Sequence, residues 1–164
     1  MIFFSSYFFR DGPSRKFREY TNTVFFQEAE NLICVTEDKV QRTVLEGFAQ
    51  NIKQLESSYQ TNKKKRKRDD GDDFDYLYGI VTSARDWHFL LYSPGEISQA
   101  SELPVTIEFN KKALDKNSNA YQSLRNGVKE VLGIIVGLLK DRVCAEDEPP
   151  SKKRARIEGY RLKK

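Results

Sequence analysis

The chain has 164 residues, 38% of them hydrophobic and 32% charged, with a net charge of +4. That length supports one packed core with charged appendages rather than two domains. Its two cysteines, Cys34 and Cys144, exclude a disulfide framework and a Cys/His zinc centre and make a reducing compartment the expectation. No apolar run reaches the roughly 18 residues of a membrane span, so no membrane partner is expected.

The opening Met1–Phe9 is apolar and aromatic and is halted by Arg10. It has no basic leader or small-residue cleavage site, so residues 2–9 read as a buried strand rather than a signal peptide. Asp11-Gly12-Pro13-Ser14 marks a turn. Segments 23–27 and 31–37, rich in Phe, Val, Thr and Ile, then form a hairpin. Val40, Val44, Phe48, Ile52, Leu55 and Tyr59 recur at helical spacing and predict an amphipathic helix over 40–60. Residues 61–75 lose that periodicity apart from Phe74. The cations Lys63, Lys64, Lys65, Arg66, Lys67 and Arg68 are followed there by five aspartates, and a segment of that kind reads as a disordered charged loop.

The core resumes at 76–82 and 87–92, two strands joined by Ser83-Ala84-Arg85-Asp86, with shorter strands at 96–100 and 104–109. After the capping residues Asn117-Ser118-Asn119, the stripe Tyr121, Leu124, Val128, Val131, Ile135, Leu138 and Arg142 predicts a second long helix. Gly127, Gly133 and Gly137 lie inside it, where they would allow close helix packing. Residues 146–164 read as a disordered basic tail carrying Lys152, Lys153, Arg154 and Arg156. The expected architecture is therefore one domain over 1–145, interrupted at 61–75. It is of α/β or α+β class, with a mixed sheet of about six strands between two long helices.

Chemically, the most informative residues are Glu37-Asp38-Lys39, which close a strand directly before a helix. Alternation along a strand sends Glu37 and Lys39 to one face and Asp38 to the other. An acid and an ammonium that share a site are parts of metal-assisted phosphodiester hydrolysis. Along the following helix Glu46, Gln50 and Gln54 form a polar stripe, either plain solvent face or amides placed over that site. The lone histidine, His88, faces away from Trp87 and Phe89 and reads as an ordinary strand residue. No glycine-rich phosphate loop is present. The two basic clusters fit a nuclear import receptor, with phosphate contact as a second use.

The order of strand, Glu37-x-Lys39 and helix resembles the PD-(D/E)xK nuclease-like superfamily over about residues 20–60, with 76–92 as the following strands. More narrowly, Asn31–Glu37, Ala49–Tyr59 and Tyr78-Gly79-Ile80-Val81-Thr82-Ser83 with Trp87 and Phe89 look like large fungal families of such domains. Some of these are linked to crinkler-type effectors that act in the nucleus. The resemblance implies a truncated restriction-endonuclease-like core. In it Glu37 would hold Mg²⁺, Lys39 would steady the attacking water and Gln50 would match the helix glutamine. The family's Pro-Asp falls on Thr21-Asn22, so Asn22 would occupy a metal position with an amide that Mg²⁺ binds poorly. Asp11 is the substitute carboxylate.

The implied function is a nuclear domain with reduced cleavage that binds nucleic acid or a nuclear protein. An active Mg²⁺-dependent DNA endonuclease and an effector or adaptor module are the alternatives. The missing leading helix suggests a truncated copy, a homo-oligomer or a piece of a larger parent protein.

Overall fold

A computed structural model describes residues 2–3, 22–28, 31–38, 43–65, 74–145 and 148–161. Their strands are β1 (Ile2–Phe3), β2 (Asn22–Glu28), β3 (Asn31–Asp38), β4 (Leu77–Thr82), β5 (Asp86–Ser93), β6 (Glu96–Gln99) and β7 (Val105–Thr106). The helices are α1 (Val44–Lys65), α2 (Asn119–Ala145) and α3 (Pro150–Arg161), with a 3₁₀ turn at Lys111–Leu114. One sheet runs β1-β2-β3-β4-β5-β6, and β7 pairs with β5 beyond the β4–β5 turn.

Among the described strands the pairing is antiparallel except between β3 and β4, which run parallel with Cys34 opposite Tyr78 and Asp38 opposite Thr82. A parallel pair needs a crossover, and α1 supplies it. β4 is accordingly the central strand. All six of its residues are buried, as covering both faces of a strand requires. On one face Leu77 packs with Leu55 and Tyr59 of α1 and with Tyr92 of β5. On the other, Tyr76, Tyr78, Ile80 and Phe89 meet Val131 and Ala145 of α2 and Ile157 of α3. The domain is thus a mixed sheet between helical layers, of α/β class by its crossover and α+β by its antiparallel majority.

The structure corrects several sequence expectations. Helix α1, described from Val44, continues to Lys65 and takes in the first part of the expected loop. Its sheet-facing stripe is polar as well as apolar, since Gly47, Asn51, Leu55, Ser58, Tyr59 and Asn62 are the buried positions. At the far end of that loop Asp75 is only 2% exposed. The expected tail contains α3. Pro150 opens it, because proline's fixed φ suits the first helical turn, and its cations find acidic partners in the body. Residues 4–9, Val40 and 66–73 lie outside the described residues. Of the α2 glycines, only Gly127 packs closely, against Ile107; Gly133 and Gly137 face open space.

Gly79 is the glycine that sets the spacing of α1 on the sheet. A Cβ there would collide with Asn51 Oδ1 and would lie 2.8 Å from Leu55 Cδ1 and 3.2 Å from Leu90 Cβ. Gly79→Ala is expected to cost about 1–3 kcal/mol by overpacking, seen as a lower urea midpoint at unchanged m-value. A variant as stable as the native chain would mean that α1 can move off β4 freely.

Candidate functional site

Three places concentrate polar chemistry. The first is the carboxyl end of the parallel strands. Across the β2–β3 ladder Asn22 pairs with Asp38 and Thr23 with Glu37; across β3–β4 Glu37 pairs with Val81 and Asp38 with Thr82. Residues directly opposite one another share a face of the sheet. Each acid therefore has uncharged ladder neighbours on both sides, Glu37 between Thr23 and Val81 and Asp38 between Asn22 and Thr82. The register sets Asn22 opposite Asp38 rather than Glu37, so the ladder does not pair the two residues expected to share a metal ion. Lys39 and Asp11 fall outside the described residues.

Gln50 is exposed. The α1 residue turned toward β4 is its neighbour Asn51, fully buried, whose Nδ2 donates to the Ile80 carbonyl at 3.4 Å. The sequence carried a signal for this, because Asn51 is one turn before Leu55 and shares its phase. His88 lies on the α1 side of β5 with its ring edge-on to Phe48, the centroids 4.9 Å apart. Burial lowers its pKa, and Asp86 opposes that shift.

The second place is the α3 contact. Arg142, 1% exposed, donates from Nη2 to Asp75 Oδ2 at 2.8 Å, and Lys153 Nζ lies 3.5 Å from Asp75 Oδ1. Arg154 sits over the Phe74 ring at 4.6 Å. Arg156 reaches Asp141 at 3.0 Å and Glu148 at 2.6 Å, and Arg161 reaches Glu96 at 2.8 Å. Lys153 and Arg156 are thus paired with acids of the fold, while Arg154 is exposed. Their partners lie far off in sequence, out of reach of composition reasoning. Lys152 is exposed, as are Lys63 and Lys64 near the end of α1.

Asp141 is the centre of this contact. Its Oδ2 accepts from Tyr76 Oη at 2.6 Å and Tyr78 Oη at 2.8 Å, and its Oδ1 accepts from Tyr160 Oη at 2.6 Å and Arg156 Nη1 at 3.0 Å. Burial raises the Asp141 pKa, but hydrogen bonds from Tyr160, Tyr76 and Tyr78 and the Arg156 charge outweigh it, so the net shift is downward. Burial and then the Asp141 hydrogen bond raise Tyr76; burial and then the Asp141 charge raise Tyr78. A carboxylate with four donors and a depressed pKa is a poor proton acceptor. It acts as a clasp, beside a groove of about 440 Å³ walled by Phe89, Leu91, Ile134 and Leu138.

The third place is a concavity of about 430 Å³ between Ser83, Ala84 and Arg85 of the β4–β5 turn and the segment 107–110. It adjoins the carboxyl end of β4. From sequence alone, Ser83-Ala84-Arg85-Asp86 is a plain hairpin link, and in the structure Asp86 already belongs to β5. Ala84 has φ +63°, an uncommon conformation for a residue with a Cβ. Three side chains brace it. Thr82 Oγ1 accepts from Ala84 N at 3.0 Å, Ser83 Oγ accepts from Asp86 N at 3.2 Å, and Trp87 Nε1 donates to the Ala84 carbonyl at 3.2 Å.

Among the described residues no group of three or more His, Cys, Asp or Glu side chains is arranged to hold a metal ion, and no helix is long and apolar enough to cross a membrane.

The clasp makes a pH prediction. Because the folded pKa of Asp141 is depressed, its contribution is complete above the ordinary carboxyl value of 3.8 and is lost as pH falls through the folded value. Asp141→Asn should remove roughly 1.5–3 kcal/mol at neutral pH and flatten the acid limb of a stability–pH curve. A curve parallel to the native one would rule out Asp141 as the titrating group. No family model matches this chain, and neither does any curated protein or solved structure.

Proposed function

We propose that the chain is a nuclear PD-(D/E)xK nuclease-like domain that binds nucleic acid without cutting it. The observation that carries this reading is the run of β2–β3 hairpin, α1 and then β4 parallel to β3, with Glu37 near the end of the strand that feeds the crossover helix. Such strand ends are where open sheets with parallel crossovers gather ligands. Position 22, paired with Asp38 in the ladder, carries an amide where the resembling family has a carboxylate, and the lost charge favours binding over cleavage. No step of the proposed activity passes through Mg²⁺. Affinity comes instead from cations meeting phosphates, with the salt dependence that counterion release imposes.

Cleavage assays on single- and double-stranded DNA with Mg²⁺ or Mn²⁺ test the reading. The native chain should bind in a salt-dependent way and leave both substrates intact. Cleavage that disappears in Lys39→Ala would make it an enzyme and overturn the proposal. Asn22→Asp, which sets a second carboxylate opposite Asp38, should raise Mg²⁺ affinity by calorimetry; an unchanged titration would show that position 22 is not the lost metal position.

Nuclear entry is assigned to 63–68, since Lys153, Arg156 and Arg161 of α3 are paired with acids within the fold. In a bulky fluorescent fusion, replacing Lys63–Arg68 by alanine should leave the protein in the cytoplasm, and nuclear retention would refute the assignment.

A further inference from the structure

The concavity at the β4–β5 turn has features that neither the E-x-K reading nor the α3 contact uses. Phe109, on its wall, is 68% exposed. An exposed aromatic ring beside a concavity offers a face on which a planar group can stack. Arg85 stands on the opposite wall, its side chain 54% exposed. Lys111 and Lys112, both exposed, follow directly from Asn110. Asn110, also on the groove wall, uses Oδ1 to accept from Lys112 N at 3.0 Å and Ala113 N at 3.2 Å, which fixes the start of the 3₁₀ turn.

The walls are held in advance of any ligand. Ile107 N donates to the Arg85 carbonyl at 2.7 Å, and Thr106 Oγ1 donates to Asp86 Oδ1 at 2.9 Å. These two contacts tie the 105–110 segment to the turn. The strained Ala84 is itself over-determined by its three bracing side chains. A strained conformation persists only where its surroundings enforce it, and such positions gather at ligand sites.

We infer that this groove binds single-stranded nucleic acid, with a base stacked on Phe109 and phosphates held by Arg85, Lys111 and Lys112. The inference rests on the nucleic-acid reading above and names the form of the ligand. An exposed aromatic ring flanked by cations is the elementary unit of single-strand binding, because every base has a π-face and every nucleotide a phosphate. A duplex hides its base faces by stacking, and neither the turn nor the 107–110 segment offers the helix or two-stranded ribbon that fits a major groove. Glu108 is the one acid among the groove's lining residues. Its carboxylate is 3.8 Å from Arg85 Nη2 with a side chain 72% exposed, and Asp86 Oδ1 lies 4.0 Å from Arg85 Nε; two contacts this long on a guanidinium 54% exposed do not commit it.

Fluorescence anisotropy of the full chain with a labelled oligothymidylate, and with a mixed-sequence duplex, over a salt series tests this. The native protein should bind the single strand more tightly than the duplex. Phe109→Ala should weaken single-strand binding about fivefold to a hundredfold, the loss of one stacked base, and Phe109→Trp should restore it. Arg85→Ala should reduce the salt slope by about 0.7, the share of one phosphate on a single strand. Glu108→Gln should tighten binding. Since Phe109 is exposed, none of these effects should come with a change in the melting midpoint.

Nucleic-acid binding that Phe109→Ala leaves intact, or a duplex bound better than the single strand, would overturn this inference while leaving the proposed function standing. A native chain that binds neither probe at low salt would overturn both.

Discussion

Asp75 is a charge taken out of water, and the arrangement of α2 and α3 follows from that. Its carboxylate lies at the entry to the central strand, where Tyr76 and Leu77 must be buried for β4 to be covered on both faces. A carboxylate so placed demands cations, and it receives Arg142 from α2 and Lys153 from α3. Such a group of charges adds little net stability, because desolvation cancels most of the attraction, yet removing one member leaves the others exposed to the full penalty. What it does is fix position. α3 has few apolar residues to bury, with Ile157 the fully buried one among them, and it is seated by its charges more than by a greasy face.

The Asp141 clasp completes that seating from the next position along α2. Tyr78 of β4 and Tyr76 just before it approach from the sheet, while Tyr160 and Arg156 approach from α3. The arrangement has a cost: Arg142 Nε and Nη1 are buried with no hydrogen-bond partner, and the Tyr76 ring, 5.2 Å from the guanidinium carbon, offsets part of it by cation–π attraction. Part of what looks like a solvent-borne basic segment in the sequence, Lys153 and Arg156, is therefore structural.

Much of the fold was legible because burial leaves a period in the sequence. The aromatic and β-branched runs of β2, β3, β4 and β5 mark strands, and the four-residue recurrence of apolar side chains through α1 and α2 marks helices. Arg142 even falls in phase with the buried stripe of α2. Boundaries were less legible. The extension of α1 to Lys65 and the existence of α3 run against composition, because lysine and arginine are good helix formers whose fate depends on what lies beside them. On α1, apolar periodicity picked out Phe48 and Ile52, whereas close packing on Gly79 selected Asn51 as the residue against the sheet.

By itself the sequence determined the mixed layered class, the hairpin-then-helix order around Glu37 and the absence of a long apolar span, since each is written in local pattern. Tertiary structure alone decided which acid faces Asn22, which cations remain in water and where an aromatic ring stands open beside a groove. Register, ion pairing and concavity join residues tens of positions apart, as Asp75 is joined to Arg142 and Arg85 to Ile107. No local pattern encodes a partner that only the folded chain brings near.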